Sequence, residues 1–522
     1  MELDFLGVAM HFPRSCGLLL HPTSLPGGYG IGDLGAGARA FIEFLVASDQ
    51  QYWQVLPLGP TGFGNSPYMC YSAMAGNPLL ISLDELVAAG WLAATDLAGL
   101  TYENGDRVDY DAVIRQKLPL LKLASQRFQA QATAADWQAL ADFRQLAHYW
   151  LETYALFMAL KDHHDGQPWY EWPAPLRDRD PAALAKMQVQ LKDRIFEYEF
   201  QQFIFYQQWH ALKDAANAQG IEIIGDIPIY VAHDSADVWA FPQFFELNPD
   251  TGAAALMAGV PPDYFSATGQ LWGNPIYNWS ALAADGYSWW IERFRTLLSY
   301  VDIIRVDHFR GFQSYWQVPE REETAINGAW QEGPGAAFFE ALQAALGRLP
   351  ILAEDLGDIT PDVIALRDQF QFPGMKILQF AFGGGADNPF LPFNQERNCV
   401  VYTGTHDNDT TVGWYESLGD WERQRFIDYL GYTPNDPHWA LIRLALGTVA
   451  NQAIIPVQDL LGLGTHARMN FPGTSEGNWS WRVTADQLTL ELAAHFKHLV
   501  HLFGRQAPPR PEPTADSTAN ET

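Results

Sequence analysis

Four apolar runs in this chain end in acidic residues, the position from which a carboxylate can act on a bound substrate. The acids are Asp226 after IEIIG, Asp307 after DIIRV, Glu354 with Asp355 after ILA, and Asp407 after VVYTGTH. Along YVDIIRVDHF the alternation of a strand puts Ile303, Arg305 and Asp307 on one face, with Ile304 and Val306 on the other. A guanidinium beside Asp307 would keep that carboxylate ionised at neutral pH, the state a nucleophile requires, although the same two residues also fit a structural ion pair. Retaining glycoside chemistry needs two carboxyl groups about 5–5.5 Å apart, one ionised to attack the anomeric carbon and one protonated to serve the leaving oxygen. Asp307 and Glu354 on neighbouring strands fit that division, because the shorter side chain can attack while the longer reaches the glycosidic oxygen. His308, His406 and Asp407 could also be drawn as metal ligands. The sequence lacks the H-x-H and H-E-x-x-H spacings that bring two imidazoles to one ion, so no metal is expected, and carboxylate chemistry needs no organic cofactor.

The elements that must position these acids are eight short apolar or β-branched runs: 17–21, 52–58, 221–231, 300–309, 351–357, 375–382, 399–407 and 453–461. Helical periodicity fills most of the gaps, as in GARAFIEFLVASD, YSWWIERFRTLLS and GAAFFEALQAALG. Eight alternating β and α elements predict an α/β fold, a closed (β/α)₈ TIM-type barrel whose site lies at the C-terminal ends of the strands; a doubly wound open sheet is the alternative. About 160 residues separate the second and third runs, far more than a usual crossover, and they carry long amphipathic stretches. They predict a large, mainly helical insertion over 84–200, with the barrel formed by 1–83 and 201–504. The Pro-rich polar tail, 505–522, offers too little apolar surface to offset the entropy of ordering and is expected to be disordered. No room is left for a C-terminal β-sandwich domain.

With 48% apolar residues over 522 positions the chain can bury a large core, which excludes general disorder. Lys and Arg total 32 against 61 Asp and Glu, and a net charge of −29 disfavours nucleic acid and anionic membrane partners. Cys16, Cys70 and Cys399 are scattered, which fits reduced thiols, and no basic leader or membrane-length apolar run is present, so a cytoplasmic protein without an obligate protein partner is expected. Aromatic residues make up 14%, and sugar rings present apolar C–H faces that stack on such side chains, although core packing alone accounts for most of them.

Read together, the motifs closely resemble those of the amylomaltases, or disproportionating enzymes, relatives of the α-amylase superfamily. The resemblance runs from about residue 14 to 503 and rests on RSCGLLLHPTSLPGGYGIGDLG, YWQVLPLGPTGFGNSPYMCYSAMAGNP, GDIPIYVAHDSADVW, GVPPDYFSATGQLWGNPIYNW, RVDHFRGF, AEDLG, FPGMKILQFAF, GTHDNDT and RMNFPGTSEGNWSWR, in chain order. It implies a 4-α-glucanotransferase acting on maltodextrins and other α-1,4-glucans, with glucose as an acceptor. Asp307 would be the nucleophile, Glu354 the acid/base and Asp407 a third carboxylate holding sugar hydroxyls. Arg305, His308 and His406 would flank that subsite and Asp226 complete it. Tyr68 would stack on the transferred sugar and Asn470 touch the glucan. Asp263, Gln270 and Trp272, in a segment resembling the family's active-site lid, would meet acceptor sugars. Cys70 and Met74 depart from the family pattern, which bears on acceptor preference only. The competing functions are a hydrolase using the same carboxylates, which would raise the number of reducing ends, and a non-catalytic glucan-binding relative, which should have lost one of the three acids.

Overall fold

Each of the eight apolar runs supplies one short parallel strand. In the computed structural model, which describes residues 12–102, 105–262, 266–474 and 476–507, they are β1 (Ser15–Leu19), β2 (Tyr52–Gln54), β3 (Glu222–Ile227), β4 (Ile303–Val306), β5 (Ile351–Ala353), β6 (Gly374–Ile377), β7 (Cys399–Tyr402) and β8 (Gln452–Pro456). Their spatial order is β6-β7-β8-β1-β2-β3-β4-β5. The Ala353 N–H donates to the Pro373 carbonyl at 2.8 Å, which brings β5 against the start of β6 and closes the ring into a (β/α)₈ barrel. All strand residues except Glu222 and Lys376 are buried, as expected for a parallel sheet covered by helices outside and filled by side chains within.

All the strands but β1 are shorter than the runs that predicted them. β4 stops at Val306 and β5 at Ala353, so Asp307 and Glu354 lie just past their strands, in turns at the mouth. A second sheet was not anticipated. Four antiparallel strands, Gln270–Pro275, Leu256–Val260, Ser314–Pro319 and Ala329–Glu332, pair in that order, two from the segment after β3 and two from the segment after β4. The predicted lid segment thus supplies a strand of a sheet built at the barrel mouth.

Between β2 and β3 the chain is mostly helical, and one long helix, Lys192–Ala218, leads back to β3. The boundary expected at residue 200 falls inside this helix and is corrected: Phe196, Phe200 and Phe203 recur at helical spacing and are buried together. On the same helix, the Gln202 side chain exchanges hydrogen bonds with the Gly76 backbone at 2.7 and 2.8 Å, and the Trp209 indole donates to the Tyr300 carbonyl at 2.8 Å. One helix therefore serves both the helical segment and the barrel wall.

The C-terminal boundary also moves. Helix Leu490–Leu502 is capped by Thr489, whose hydroxyl accepts the Leu492 N–H at 3.1 Å. Arg505, assigned to a disordered tail on composition, is fully buried; residues 508–522 lie outside the described residues. Its guanidinium donates to the carbonyls of Leu446, Ser15 and Asn451 at 2.8, 2.8 and 3.1 Å, and to Ala450 at 3.0 Å. Arg14 donates to carbonyls of the same segment, Leu446 at 2.8 Å and Thr448 at 2.7 Å. Two guanidiniums thus satisfy carbonyls around the starts of β1 and β8. Arg505→Ala removes a donor from each of these buried carbonyls, although Leu446 keeps Arg14 and Asn451 keeps the Ser15 N–H, and urea unfolding should show a loss of about 2–4 kcal/mol. A loss within about 0.5 kcal/mol of zero, the range of ordinary surface substitutions, would mean the carbonyls find other donors.

Candidate active site

The barrel register brings the acids together. Asp226 on β3 lies opposite Arg305 on β4, and β4 pairs in turn with β5 through Val306 and Ala353. Arg305 is the hub. Its Nη1 donates to both Asp226 oxygens at 2.8 and 2.7 Å, and its Nη2 lies 3.0 Å from Asp307 Oδ1. Arg305 and Asp307 therefore do share a face, with Asp226 as the second partner of the guanidinium.

The turn after β4 fixes Glu354. His308 occupies the left-handed region at φ 52°, uncommon for a residue with a side chain, and in that conformation its N–H donates to Glu354 Oε2 at 2.6 Å. The Leu356 N–H donates to Oε1 at 3.0 Å. Asp355, the other acid of AEDLG, serves the scaffold: its Oδ2 accepts from Arg367 at 2.6 Å and its Oδ1 from the Met375 N–H at 2.7 Å. Just past β5 the two adjacent acids therefore meet different partners, and this separates a site acid from a structural one.

After β7, Asp407 stands with its side chain 47% exposed, against 28% for Asp307 and 9% for the whole Glu354 residue, so it borders the open cleft. Asn470 donates to Asp407 Oδ1 at 2.7 Å, and the His406 ring nitrogen lies 3.4 Å from the same oxygen. Tyr68 donates its hydroxyl to Asp226 Oδ2 at 2.7 Å, and its ring stacks on His406 with centroids 5.2 Å apart. Trp272 meets His308 edge to face at 5.0 Å, and its indole donates to the Gln270 side chain at 3.2 Å. Gln270 and Trp272 lie two apart on one strand of the antiparallel sheet, hence on one face. Asp263 lies outside the described residues.

Two further side chains belong to this cluster and were not singled out from sequence. Trp479 packs against both Tyr68 and His406, with centroids 5.8 and 5.9 Å away. Arg468 donates to the Asp407 carbonyl at 2.6 Å and the Asn470 carbonyl at 2.8 Å, tying the two segments together. Both sit in RMNFPGTSEGNWSWR, and the signal was that motif; nothing in its local pattern separates them from its other aromatic and basic residues.

The electrostatics differ from the expectation that Arg305 alone keeps Asp307 ionised. Enclosure pushes the Asp307 carboxyl well above the usual range; Arg305 opposes this, but its charge is shared with Asp226, and Asp226, Glu354 and Asp407 add to the upward push. Glu354 is also raised, by burial first, against Arg305 and the two backbone donors. Such a pair titrates as a unit. Asp307 alone of the two touches the guanidinium, while Glu354 accepts two backbone N–H groups. Burial, with Arg310 adding, pushes His308 down to about 3, and burial also lowers His406. Both imidazoles are therefore neutral hydrogen-bonding groups. Burial and then Asp226 hold the Tyr68 phenol protonated. Among the described residues no group of three His, Cys, Asp or Glu side chains is placed to hold a metal ion.

Two interacting carboxyls with raised pKa, ringed by neutral donors and aromatic faces, form an arrangement for acting on a neutral polyhydroxylated ligand. The comparisons agree. The family model described as 4-alpha-glucanotransferase matches residues 20–489. A 4-alpha-glucanotransferase of Synechocystis sp. is 55% identical over 496 residues, covering 94% of this chain and 98% of that one. One from Thermus thermophilus is 49% identical over 504 residues, covering 95% and 100%. The solved structure of an amylomaltase from Streptococcus agalactiae in complex with acarbose superposes with a TM-score of 0.92 at 39% identity, covering 95% of this chain and all of that one. On both the extent of the match and the level of identity, the chain belongs to the 4-alpha-glucanotransferase family.

Proposed function

We propose that this chain carries out its family's reaction on α-1,4-glucans by double displacement at Asp307. The observation that supports this best is the hub at Arg305, which holds Asp307 beside a Glu354 pinned through both oxygens by backbone donors. In the first step an Asp307 oxygen attacks the anomeric carbon as the glycosidic C–O bond breaks, and Glu354 gives its proton to the departing 4-oxygen. A glycosyl ester on Asp307 results, and Glu354 is left as a carboxylate. In the second step Glu354 takes the proton of an acceptor 4-hydroxyl, whose oxygen attacks the anomeric carbon and releases Asp307. Configuration is retained by two inversions, and no cofactor is required.

Asp407, braced by Asn470 and His406, stands where it can hold sugar hydroxyls. The Tyr68 ring, packed against His406 and Trp479, is the side chain that stacks on the transferred sugar. Gln270 and Trp272 bring the mouth sheet to the acceptor side, and Asp263 belongs to the same segment. Acceptors are glucose and maltodextrins. Sugar must displace water as the acceptor, and this depends on positioning, since a fixed hydroxyl reaches effective concentrations well above the roughly 55 M of water. No helix among the described residues is long and apolar enough to cross a membrane. The three unpaired cysteines fit a reducing compartment, and we assign the protein to the cytoplasm.

The test is maltotriose as sole substrate. Transfer conserves reducing ends, so glucose and chains longer than the substrate should appear together while the total reducing-end count stays flat. A count rising in step with glucose, with no longer chains formed, would identify water as the acceptor.

A further inference from the structure

The flank of the barrel beside the Asp407 segment carries aromatic side chains that neither the core nor the cleft uses. DWERQRFIDYL forms a helix, Asp420–Leu430, anchored by buried Phe426, which packs on Phe382 at 4.8 Å and Trp414 at 5.4 Å between ring centroids. Trp421 is nevertheless 61% exposed and Tyr429 36%. Residues 421, 425 and 429 are four apart and run along one helical stripe. The Arg425 guanidinium lies 5.7 Å from the Trp421 ring centroid, and Gln424 donates to Asp428 at 2.8 Å alongside. Tyr429 is braced by Phe382, 5.6 Å away. Two aromatic rings are therefore held at the ends of a stripe whose middle offers a guanidinium, an amide and a carboxylate.

That alternation fits a sugar chain. Pyranose rings present C–H faces to an aromatic side chain and hydroxyls to polar groups at its edge. An aliphatic protein surface would instead bury Arg425 and Asp428 without partners, which is costly, and an anionic partner meets a chain of net charge −29. We propose that the stripe Trp421–Arg425–Tyr429 is a second docking site for α-1,4-glucan chains, separate from the cleft. The proposal rests on the reading of the cleft as acting on α-1,4-glucans. The stripe connects toward the mouth: Phe382, which braces Tyr429, packs at 6.1 Å on Trp414 of the helix Thr411–Ser417 that follows the Asp407 segment, and Gln379 donates to the Asp409 carbonyl at 2.9 Å. A long glucan held there stays at the barrel rim and its ends reach the cleft at raised effective concentration, whereas a trisaccharide occupying the cleft gains nothing.

The experiment compares the full chain with Trp421→Ala, Trp421→Ala/Tyr429→Ala and Trp421→Phe. Retardation in native gels containing amylopectin gives the dissociation constant, and initial rates are measured with amylose and with maltotriose. The double variant should bind amylopectin roughly five- to ten-fold more weakly. Its KM for amylose should rise by a similar factor with kcat unchanged, maltotriose kinetics should stay at the wild-type level, and Trp421→Phe should recover most of the binding. Wild-type retardation and wild-type amylose KM in the double variant would overturn the proposal. So would unchanged retardation joined to loss of self-association in sedimentation, which would make the stripe a contact between copies of the chain. Absence of maltotriose transfer in the wild type would instead sink the reading of the cleft, and the gel would still decide on the stripe.

Discussion

Asp307→Asn should lower transfer by roughly four orders of magnitude while leaving the fold intact. An amide cannot form the glycosyl ester, and what remains is catalysis by positioning alone. The fold should survive because the oxygen of the substituted amide can still accept from Arg305 Nη2, and the other guanidinium nitrogen keeps both bonds to Asp226. The same geometry sets the pH profile of the wild type. Asp307 must be ionised to attack, and its raised pKa means that activity falls on acidification while ordinary surface carboxylates are still charged. The acid limb of kcat/KM should therefore lie above the usual aspartate range near 3.9. Single-turnover kinetics on a preparation shown free of deamidated enzyme, with thermal unfolding measured in parallel, checks the substitution. Near-wild-type turnover in such a preparation would remove Asp307 from the mechanism.

Much of this site could be read from the chain because its acids sit at ends of strands whose period is two. Alternation alone put Arg305 and Asp307 on one face, whereas Glu354 and Asp355 were read together as strand-end acids, and only the structure parts them, sending Asp355 to Arg367 and Glu354 to the mouth. What alternation does not carry is how charge is divided. Asp226 was visible as one more strand-end acid, but its claim on both hydrogen bonds of Arg305 Nη1 depends on strand register; burial first, and then the nearby Asp226 charge, raises the Asp307 carboxyl that a guanidinium alone would keep ionised. The antiparallel sheet at the mouth was missed for a related reason. Leu256–Val260 pairs with Ser314–Pro319 across a whole strand and helix of the barrel, so neither segment shows its partner locally, and a turn-rich stretch such as GVPPDYFSATGQLWGNP reads as loop. Arg505 misled by composition: it opens a proline-rich polar stretch, and only the folded chain shows the carbonyls that surround it.

The mouth sheet also bears on why the cleft favours transfer. Trp272 and Gln270 are held on a hydrogen-bonded strand, with Trp272 against His308, whose backbone N–H in turn orients Glu354. On the proposed mechanism, an acceptor sugar placed by these side chains would therefore meet the residue proposed to take its proton. A mobile segment could exclude water only while closed, whereas a strand keeps its face fixed, and fixed placement is what raises the effective concentration of one hydroxyl over bulk water.

Glu354→Gln should separate the two halves of the reaction. With maltodextrin donors the leaving 4-oxygen needs a proton, and the substituted amide has none to give, so turnover should fall by roughly two to four orders of magnitude. A glucosyl fluoride leaves as fluoride with little protonation, so the first step should be retained in large part. The second step still lacks a base to deprotonate the acceptor hydroxyl, and the glycosyl ester on Asp307 should accumulate and be visible as a mass increase on the intact protein. Burial raises Glu354, so its protonated form persists above the ordinary glutamate range and is lost as pH rises through the raised value. The variant should therefore lose the alkaline limb of the first-step rate with the fluoride, while the acid limb set by Asp307 remains. The substitution is mild for the fold, since the new carbonyl oxygen can keep one of the two backbone N–H donors that hold Glu354. Equal losses with both donors and no trapped ester would mean that Glu354 positions the substrate and that the proton comes from elsewhere.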